Sequence, residues 1–246
     1  MVVLDLFAGH GGVTKALEKL GRKALAVDVK YGSEFDITLK SYYSWLCRII
    51  RSGLVVAVMM APPCTTFSRA RRPPLRSSAH PWGLPEQSGH SQLIDSNKVT
   101  KRVIGIIKLC LQLRVPLIVE NPNSSMFWFL PQLQQVIASR FSAFARADFC
   151  QFGTAWRKPT RFLCVCCDSS SPAKLSQQCH ARGGICKRTH KSHIELRGRD
   201  SNNILWTRIA EPYPRRLCVC LAEILDAEIV NNAIRRSTIC MLQNEK

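Results

Sequence analysis

Acidic residues are scarce in this sequence. Its 246 residues include 17 Asp and Glu against 35 Lys and Arg, which gives a formal net charge of +18 at pH 7. Such an imbalance indicates a polyanionic partner, with nucleic acid as the leading candidate. A basic, solvated surface without a partner is the alternative interpretation. Because aromatic residues are interspersed in the basic loops, we favour nucleic acid.

The sequence also lacks a long uncharged apolar stretch. No segment approaches the roughly 20 residues that cross a bilayer, which argues against a membrane-spanning helix. Asp5 interrupts the first apolar run, so we expect no secretory leader. We therefore expect a monomer of the cytoplasm, or of the nucleus in a eukaryotic host. In that reducing setting the 12 cysteines should mostly be thiols.

The first half of the chain alternates short apolar runs with helical patterns. This alternation is typical of βαβ units and a parallel sheet. The predicted fold is therefore α/β, with a Rossmann-like, doubly wound and mostly parallel sheet. Residues 1–163 are expected to form the main domain, and residues 164–205 a small, basic Cys/His-rich lobe. Residues 206–246 are predicted to return to the main domain as a C-terminal helix.

A glycine-rich turn follows the first predicted strand. It reads Asp-Leu-Phe-Ala-Gly-His-Gly-Gly at residues 5–12. Glycines between a strand and a helix allow a cofactor to approach the backbone closely. Asp28, at the end of the second predicted strand, is suited to ribose hydroxyls, and Asp36 to an adenine amino group. The spacing does not form Gly-x-Gly-x-x-Gly, which argues against a nicotinamide-dependent oxidoreductase.

Two reactive side chains stand at the ends of two buried strands. Cys64 follows Pro-Pro after the apolar run of residues 54–60, and Glu120 ends the next apolar run. Open α/β sheets bind ligands at this edge, so both side chains should lie in one cleft. A basic loop then extends from Cys64 to about residue 95, and its arginines at 69, 71 and 72 would favour the thiolate. In this loop Trp82 either stacks on a base or anchors the loop.

As a set, these motifs resemble those of DNA cytosine-5 methyltransferases. The segments are residues 5–12, Pro-Pro-Cys-Thr-Thr-Phe-Ser at 62–68 and Ile-Val-Glu-Asn-Pro at 118–122. Residues 151–162 resemble the later Arg-bearing motif of that family, so the resemblance covers residues 1–163. The Glu-Asn-Pro and Arg-Lys-Pro-Thr-Arg versions are similar to those of compact phage and mobile-element enzymes.

The resemblance implies methylation of cytosine C5 in double-stranded DNA, with S-adenosylmethionine as the methyl donor. Cys64 would bond to C6 of a flipped base, and Glu120 would hydrogen-bond N3 and the exocyclic amine. An arginine would bind O2, preferably Arg161, with Arg157 as the substitute. Residues 1–163 would then be the catalytic, cofactor-binding domain. The residues expected to hold the cofactor are Asp5, Phe7, Ala8, Gly9, Gly11, Gly12, Asp28, Asp36 and Pro62.

Three departures from the family pattern leave alternatives open. Pro122 replaces the usual Val, the Arg motif is altered, and a segment beginning at Tyr213 stands where a Gly-Asn motif is expected. One alternative is an RNA cytosine-5 methyltransferase of the same type that acts on tRNA. The other is a catalytically inactive nucleic-acid-binding relative, against which the intact Cys64 and Glu120 argue.

Cysteine and histidine crowd the segment after residue 163. Because this segment has few apolar residues for a core of its own, bound zinc would supply folding energy. We expect Cys179, Cys186 and His193 as ligands, with Cys166 or Cys167 as the fourth. Scattered thiols in a solvated basic loop are the alternative. The corresponding region of the family recognises the target sequence, and here it is short enough for only a few base contacts.

Overall fold

In the part of the chain that the structure describes, six strands and seven helices follow one another in the order of an α/β protein. The structure, a computed structural model, describes residues 1–180 and 183–244, with side chains as far as residue 234. The strands are β1 Val2–Leu6, β2 Ala24–Val27, β3 Val55–Met60, β4 Leu117–Pro122, β5 Ser142–Asp148 and β6 Pro159–Val165. The helices are α1 Gly12–Lys19, α2 Lys40–Arg51, α3 Ser91–Leu113, α4 Pro131–Ile137, α5 Ser170–Leu175, α6 Trp206–Ile209 and α7 Arg215–Asn244.

The strands form one sheet in the order β2-β1-β3-β4-β6-β5. β1 pairs in parallel with β2 and β3, and β3 with β4, whereas β6 pairs antiparallel with both β4 and β5. Only β6 is therefore reversed. β3 has the sequence Val-Val-Ala-Val-Met-Met, as expected for a strand covered on both faces. The predicted α/β class with a mostly parallel sheet is confirmed.

Helices cover both faces of the sheet. On one face, here called the α3 face, side chains of α2, α3 and α4 such as Leu46, Ile106 and Leu133 enter the core. On the other, here called the α7 face, Leu17 of α1 and Leu221 of α7 pack against the strands. Each face has its own apolar core, so the face that a strand residue points to decides its neighbours.

The segments around the sheet differ from the sequence expectation in two places. α3 begins at Ser91, whereas the preceding loop was expected to extend to about residue 95. Ser96, a residue type that often caps helices, lies inside α3, with its hydroxyl 2.7 Å from that of Thr66. β6 continues to Val165, and Leu175 of α5 is buried in the core of the α7 face, so residues 164–175 accompany the sheet. Residues 181–182 of the predicted lobe and 245–246 of the predicted C-terminal helix lie outside the described residues.

The strand order creates a crevice at one edge of the sheet. From β1 the chain goes to β2 on one side and later to β3 on the other, and such a reversal leaves an opening at the carboxyl ends of the strands. The glycine turn, Cys64 and Glu120 all lie at these ends. Within the described part of the chain, no helix has the length and apolar character needed to cross a membrane.

Candidate active site

The glycine turn leaves β1 through a left-handed backbone. Phe7, Gly9 and Gly11 have φ angles of 59°, 56° and 65°. The Gly9 amide donates to Oδ2 of Asp28 at 2.9 Å, and the Tyr31 hydroxyl donates to the Gly9 carbonyl at 3.0 Å. A Cβ at Gly9 would meet nothing within 4 Å, so this side of the turn is open to a ligand. Asp28 therefore holds the turn in shape at the position predicted for a cofactor.

The other predicted cofactor residues have structural partners. Buried Asp5 accepts from the amide and hydroxyl of Thr14 at 3.1 and 2.8 Å, and burial raises its pKa to about 6 against those two hydrogen bonds. Asp36 accepts from the Thr38 amide at 2.8 Å. A Cβ at Gly12 would lie 2.7 Å from the Cys218 sulfur, so this glycine allows α1 to pack against α7. The Ala8 amide donates to the Val27 carbonyl at 3.1 Å.

Cys64 and Glu120 are brought together by the ends of β3 and β4. Cys64 lies at the start of a 3-10 turn, Thr65–Phe67, just after the buried Pro62. The buried Asn121 side chain donates to the Pro62 carbonyl at 2.9 Å, which fixes the Pro-Pro-Cys segment against β4. The neighbouring Glu120 is only 6% exposed and interacts electrostatically with the Cys64 thiol. The two predicted catalytic side chains therefore share one site.

Glu120 has one engaged and one free oxygen. Oε2 accepts from the Tyr213 hydroxyl at 2.9 Å, whereas buried Oε1 has no hydrogen-bond partner among the described residues. Burial raises the pKa of Glu120, while the charge of Lys158 and the hydrogen bond from Tyr213 lower it. A buried polar atom without a partner is costly, so Oε1 is suited to a ligand that donates hydrogen bonds.

On balance, the surroundings of Cys64 disfavour its thiolate. Burial raises its pKa, the Glu120 carboxylate raises it further, and Lys158 opposes both. Two of the arginines expected to favour the thiolate have other partners: Arg71 donates to Gln92 of α3 at 2.8 Å, and Arg72 to the carbonyl of Arg69 at 2.9 Å. The cation that favours the thiolate is therefore Lys158, which the sequence reasoning did not select.

Three cationic side chains around the start of β6, those of Arg157, Lys158 and Arg161, have different neighbours. Arg161 is paired with Asn121 in the β4–β6 register, and its side chain lies on the α3 face, with the guanidinium carbon 5.0 Å from the centre of the Phe144 ring. Its Nε donates to Asn123 at 3.1 Å. Arg157 forms an ion pair with Asp148, with 3.1 Å between Nε and Oδ2. The Lys158 Nζ donates to the Ala210 carbonyl at 3.2 Å, and of the three cations Lys158 acts electrostatically on both Cys64 and Glu120.

The basic loop after Cys64 is built around a buried arginine. Arg76 donates to the Pro81 carbonyl at 2.8 Å and to Asn97 at 2.9 Å, and its guanidinium lies 3.8 Å from the centre of the Phe67 ring. Burial lowers its pKa to about 10. Trp82 packs against the core and donates from Nε1 to Gln132 at 3.1 Å. Trp82 therefore anchors this loop, as the simpler of the two interpretations expected.

A second cluster lies next to the end of β5. The sulfurs of Cys150, Cys179 and Cys186 and a ring nitrogen of His193 all lie within 4.8 Å of one another. Three of the four predicted metal ligands are thus together. The fourth member of the cluster is Cys150 instead of the expected Cys166 or Cys167. The Cys166 sulfur lies near the Leu111 carbonyl, at 3.9 Å, on the α3 face, and the Cys167 sulfur lies 3.8 Å from the Leu117 carbonyl.

Three residues of these sites were missed by sequence reasoning. Tyr213 was noted only as a departure from a family motif, although a phenol near a buried carboxyl is a natural donor. Lys158 stands between two arginines that matched the motif better. Cys150 precedes the Cys/His-rich segment, and nothing local distinguishes it from a small apolar core residue.

Comparison with known proteins reveals similarity to solved structures alone: no protein-family model and no curated protein matches the chain. The S. pombe Dnmt2 methyltransferase has a TM-score of 0.40 and 14% identity, over 67% of this chain and 49% of that one. The Entamoeba histolytica methyltransferase EhMeth has a TM-score of 0.40 and 11% identity, over 79% of this chain and 57% of that one. A DNA modification methyltransferase encoded within an E. coli prophage has a TM-score of 0.43 and 14% identity, over 72% of this chain and 51% of that one. The chain spans about half the length of these proteins.

Proposed function

We propose that this chain methylates C5 of cytosine in DNA. The observation that carries the proposal is the Cys64 thiol beside Glu120, a buried carboxyl whose Oε1 has no hydrogen-bond partner among the described residues. Both side chains lie at the sheet edge that also holds the glycine turn. A nucleophile next to a hydrogen-bonding acid is the pair needed for attack on an electron-poor ring.

The glycine turn fits S-adenosylmethionine. The open side of Gly9 leaves room for the cofactor near the backbone, and Asp28 and Asp36 offer carboxylate oxygens to its ribose and adenine. The expected surroundings of the cofactor also include Phe7, Gly11 and Pro62, with Asp5 and Ala8 behind them. When bound, this cofactor supplies an electrophilic methyl group.

Cys64 makes the ring reactive. Its thiolate adds to C6 of cytosine, and the electrons of the C5–C6 double bond become available at C5 for the methyl group. The C5 proton is then lost, its bonding electrons restore the double bond, and the C6–S bond breaks. Because the folded protein raises the thiol pKa, Lys158 is important for the thiolate.

Glu120 controls the charge on the base. Oε1 would receive the hydrogen-bonding edge of cytosine, N3 and the exocyclic amine, while Tyr213 holds Oε2. Lys158, on the same side as Glu120, would stabilise the negative charge that develops on the base, including that at O2. Arg161 would have to leave Asn123 to serve O2, and Arg157 would have to leave Asp148.

The base must leave the duplex to reach this site, because C5 and C6 are stacked inside it. The net charge of +18 supports backbone contacts that offset the cost of unstacking. The exposed Arg69 and Arg72 lie in the loop directly after Cys64. This loop, held from within by Arg76, is suited to contact phosphates on either side of the flipped base.

A duplex of mixed sequence that contains 5-fluorodeoxycytidine tests the proposal. Fluorine at C5 cannot leave as a proton does, so the Cys64–C6 bond persists after methyl transfer. The expected result is an adduct on a denaturing gel that requires S-adenosylmethionine. Cys64→Ser should abolish it, Glu120→Gln should slow it, and Cys220→Ser, which changes a half-buried thiol on α7, should not affect it.

Parallel reactions with fluorinated tRNA distinguish the substrates. An adduct with tRNA and none with DNA would contradict the DNA proposal while keeping the chemistry. The engagement of Arg157 and Arg161 with other residues favours one further candidate, an inactive nucleic-acid-binding protein. Salt-dependent DNA binding without an adduct or methyl transfer on either substrate would establish that candidate instead.

A further inference from the structure

The segment at residues 176–205 has almost no core of its own. Among its described residues, only Cys179 and Cys186 are buried. Together with Cys150 they form a separate small core of three cysteines. Apolar side chains of the segment such as Ile185, Ile194 and Leu205 are exposed at 48%, 38% and 45%. Burial of apolar side chains therefore does not account for the fold of this segment.

The four side chains of the second cluster have the geometry of a metal site. Their ligand atoms lie within 4.8 Å of one another, and the Cys179 sulfur is 3.8 Å from Nε2 of His193. Four ligands of a tetrahedral zinc ion with Zn–S bonds near 2.3 Å are separated by about 3.8 Å. Small inward movements would bring all four to a shared ion.

We propose that Cys150, Cys179, Cys186 and His193 bind one structural zinc ion. Three thiolates and one imidazole form a closed Cys3His site, which leaves no position for a substrate. Hydrogen-bond donors already lie near the sulfurs. The backbone amide of Lys187 lies 3.4 Å from the Cys179 sulfur, and the side-chain amide of Gln151 lies 3.4 Å from the Cys150 sulfur. Such outer donors stabilise thiolate ligands.

The zinc ion would fasten the basic lobe to the sheet. Cys150 lies in the 3-10 turn Phe149–Phe152 directly after β5, whereas the other three ligands belong to the lobe. Asp148 joins the two parts already, since its Oδ2 accepts from the Cys179 amide at 2.7 Å and pairs with Arg157. The metal site thus holds the lobe beside the segment just before β6 that carries Lys158. This role does not depend on methyl transfer.

Metal analysis of the full chain tests the assignment. Protein made in zinc-supplemented medium and purified without chelator should contain about one zinc per chain. Cys150→Ser should lose it, and Cys166→Ser, which removes a thiol outside the cluster, should keep it. Replacement by Co2+ should give the visible bands of a tetrahedral ion and a charge-transfer band of three thiolates. Because His193→Cys supplies a fourth thiolate, it should keep the metal and strengthen that band.

Chelation supplies a readout that does not need a variant. Trypsin should cut the metal-free protein within the lobe, at Lys187, Arg188 or Lys191, much faster than the zinc-bound protein. Less than half an equivalent of zinc in the wild type, or an octahedral Co2+ spectrum, would overturn the proposal. So would full zinc content in Cys150→Ser, loss of zinc in Cys166→Ser, or a disulfide between two of the three cysteines.

Discussion

Removing the Tyr213 hydroxyl should damage the site without removing a predicted catalytic group. Tyr213→Phe deletes the donor that lies 2.9 Å from Oε2 of Glu120 and leaves the ring packed edge-on against Phe149, with centroids 5.9 Å apart. Glu120 would then have two buried oxygens without partners among the described residues. The carboxyl would lose the hydrogen bond that holds Oε2, and with it the orientation that leaves Oε1 free for the base.

The size of the effect follows from the strength of one hydrogen bond. A bond to a charged buried group contributes about 1.5–3 kcal/mol. If all of it holds Glu120 in position for the transition state, kcat/KM should fall roughly 10- to 150-fold. Because the hydrogen bond lowers the pKa of Glu120, its loss should raise that pKa and move the corresponding limb of the pH profile to higher pH.

Methyl transfer from labelled S-adenosylmethionine to a mixed DNA duplex, measured across pH, reports both effects. Tyr42→Phe is the matched control, because its hydroxyl is buried without a hydrogen-bond partner among the described residues. This control should keep the wild-type rate and profile. A Tyr213→Phe protein with kcat/KM and pH profile like those of the wild type would refute the positioning role of Tyr213.

Two further predictions concern the charges at the site. Lys158→Met should raise the pKa of Cys64, so the pH midpoint of Cys64 alkylation should increase, whereas Lys158→Arg should preserve it; an unchanged midpoint in Lys158→Met would contradict this electrostatic role. Glu120→Gln should stabilise the fold at alkaline pH: burial raises the folded pKa, so the wild type loses stability as pH rises through that value. Thermal unfolding should show this advantage shrinking toward acidic pH, and an advantage that grows there would refute the sign.

Local patterns were sufficient to predict the sheet and its edge. The apolar run at β3 and the glycine turn after β1 have short-range signals, and the rule that parallel strands present their carboxyl ends together placed Cys64 near Glu120. The start of α3 was harder to predict from the sequence. Ser96 is a good N-cap by residue type, but its hydroxyl is used by Thr66 and Arg76, whose positions depend on the folded loop.

The metal cluster shows why proximity along the chain was insufficient. Cys166 lies close in sequence to the Cys/His-rich segment, but β6 carries it to the α3 face near Leu111. Cys150 is 29 residues before Cys179, and the hydrogen bond from the Cys179 amide to Asp148 brings the two segments together. No local pattern indicates that the later loop returns to the end of β5.

The choice of cation at the site follows from strand geometry. Side chains alternate between the two faces of a strand, and in the β4–β6 register Glu120 pairs with Phe162, whereas Asn121 pairs with Arg161. Arg161 therefore points to the α3 face, while Glu120 meets Tyr213 on the α7 face. Lys158 lies four positions before Phe162, so an extended chain directs its side chain to the same face as Phe162, the side of Glu120. The motif favoured arginine, but the chain just before the reversed strand β6 brings Lys158 close enough to act on Cys64 and Glu120.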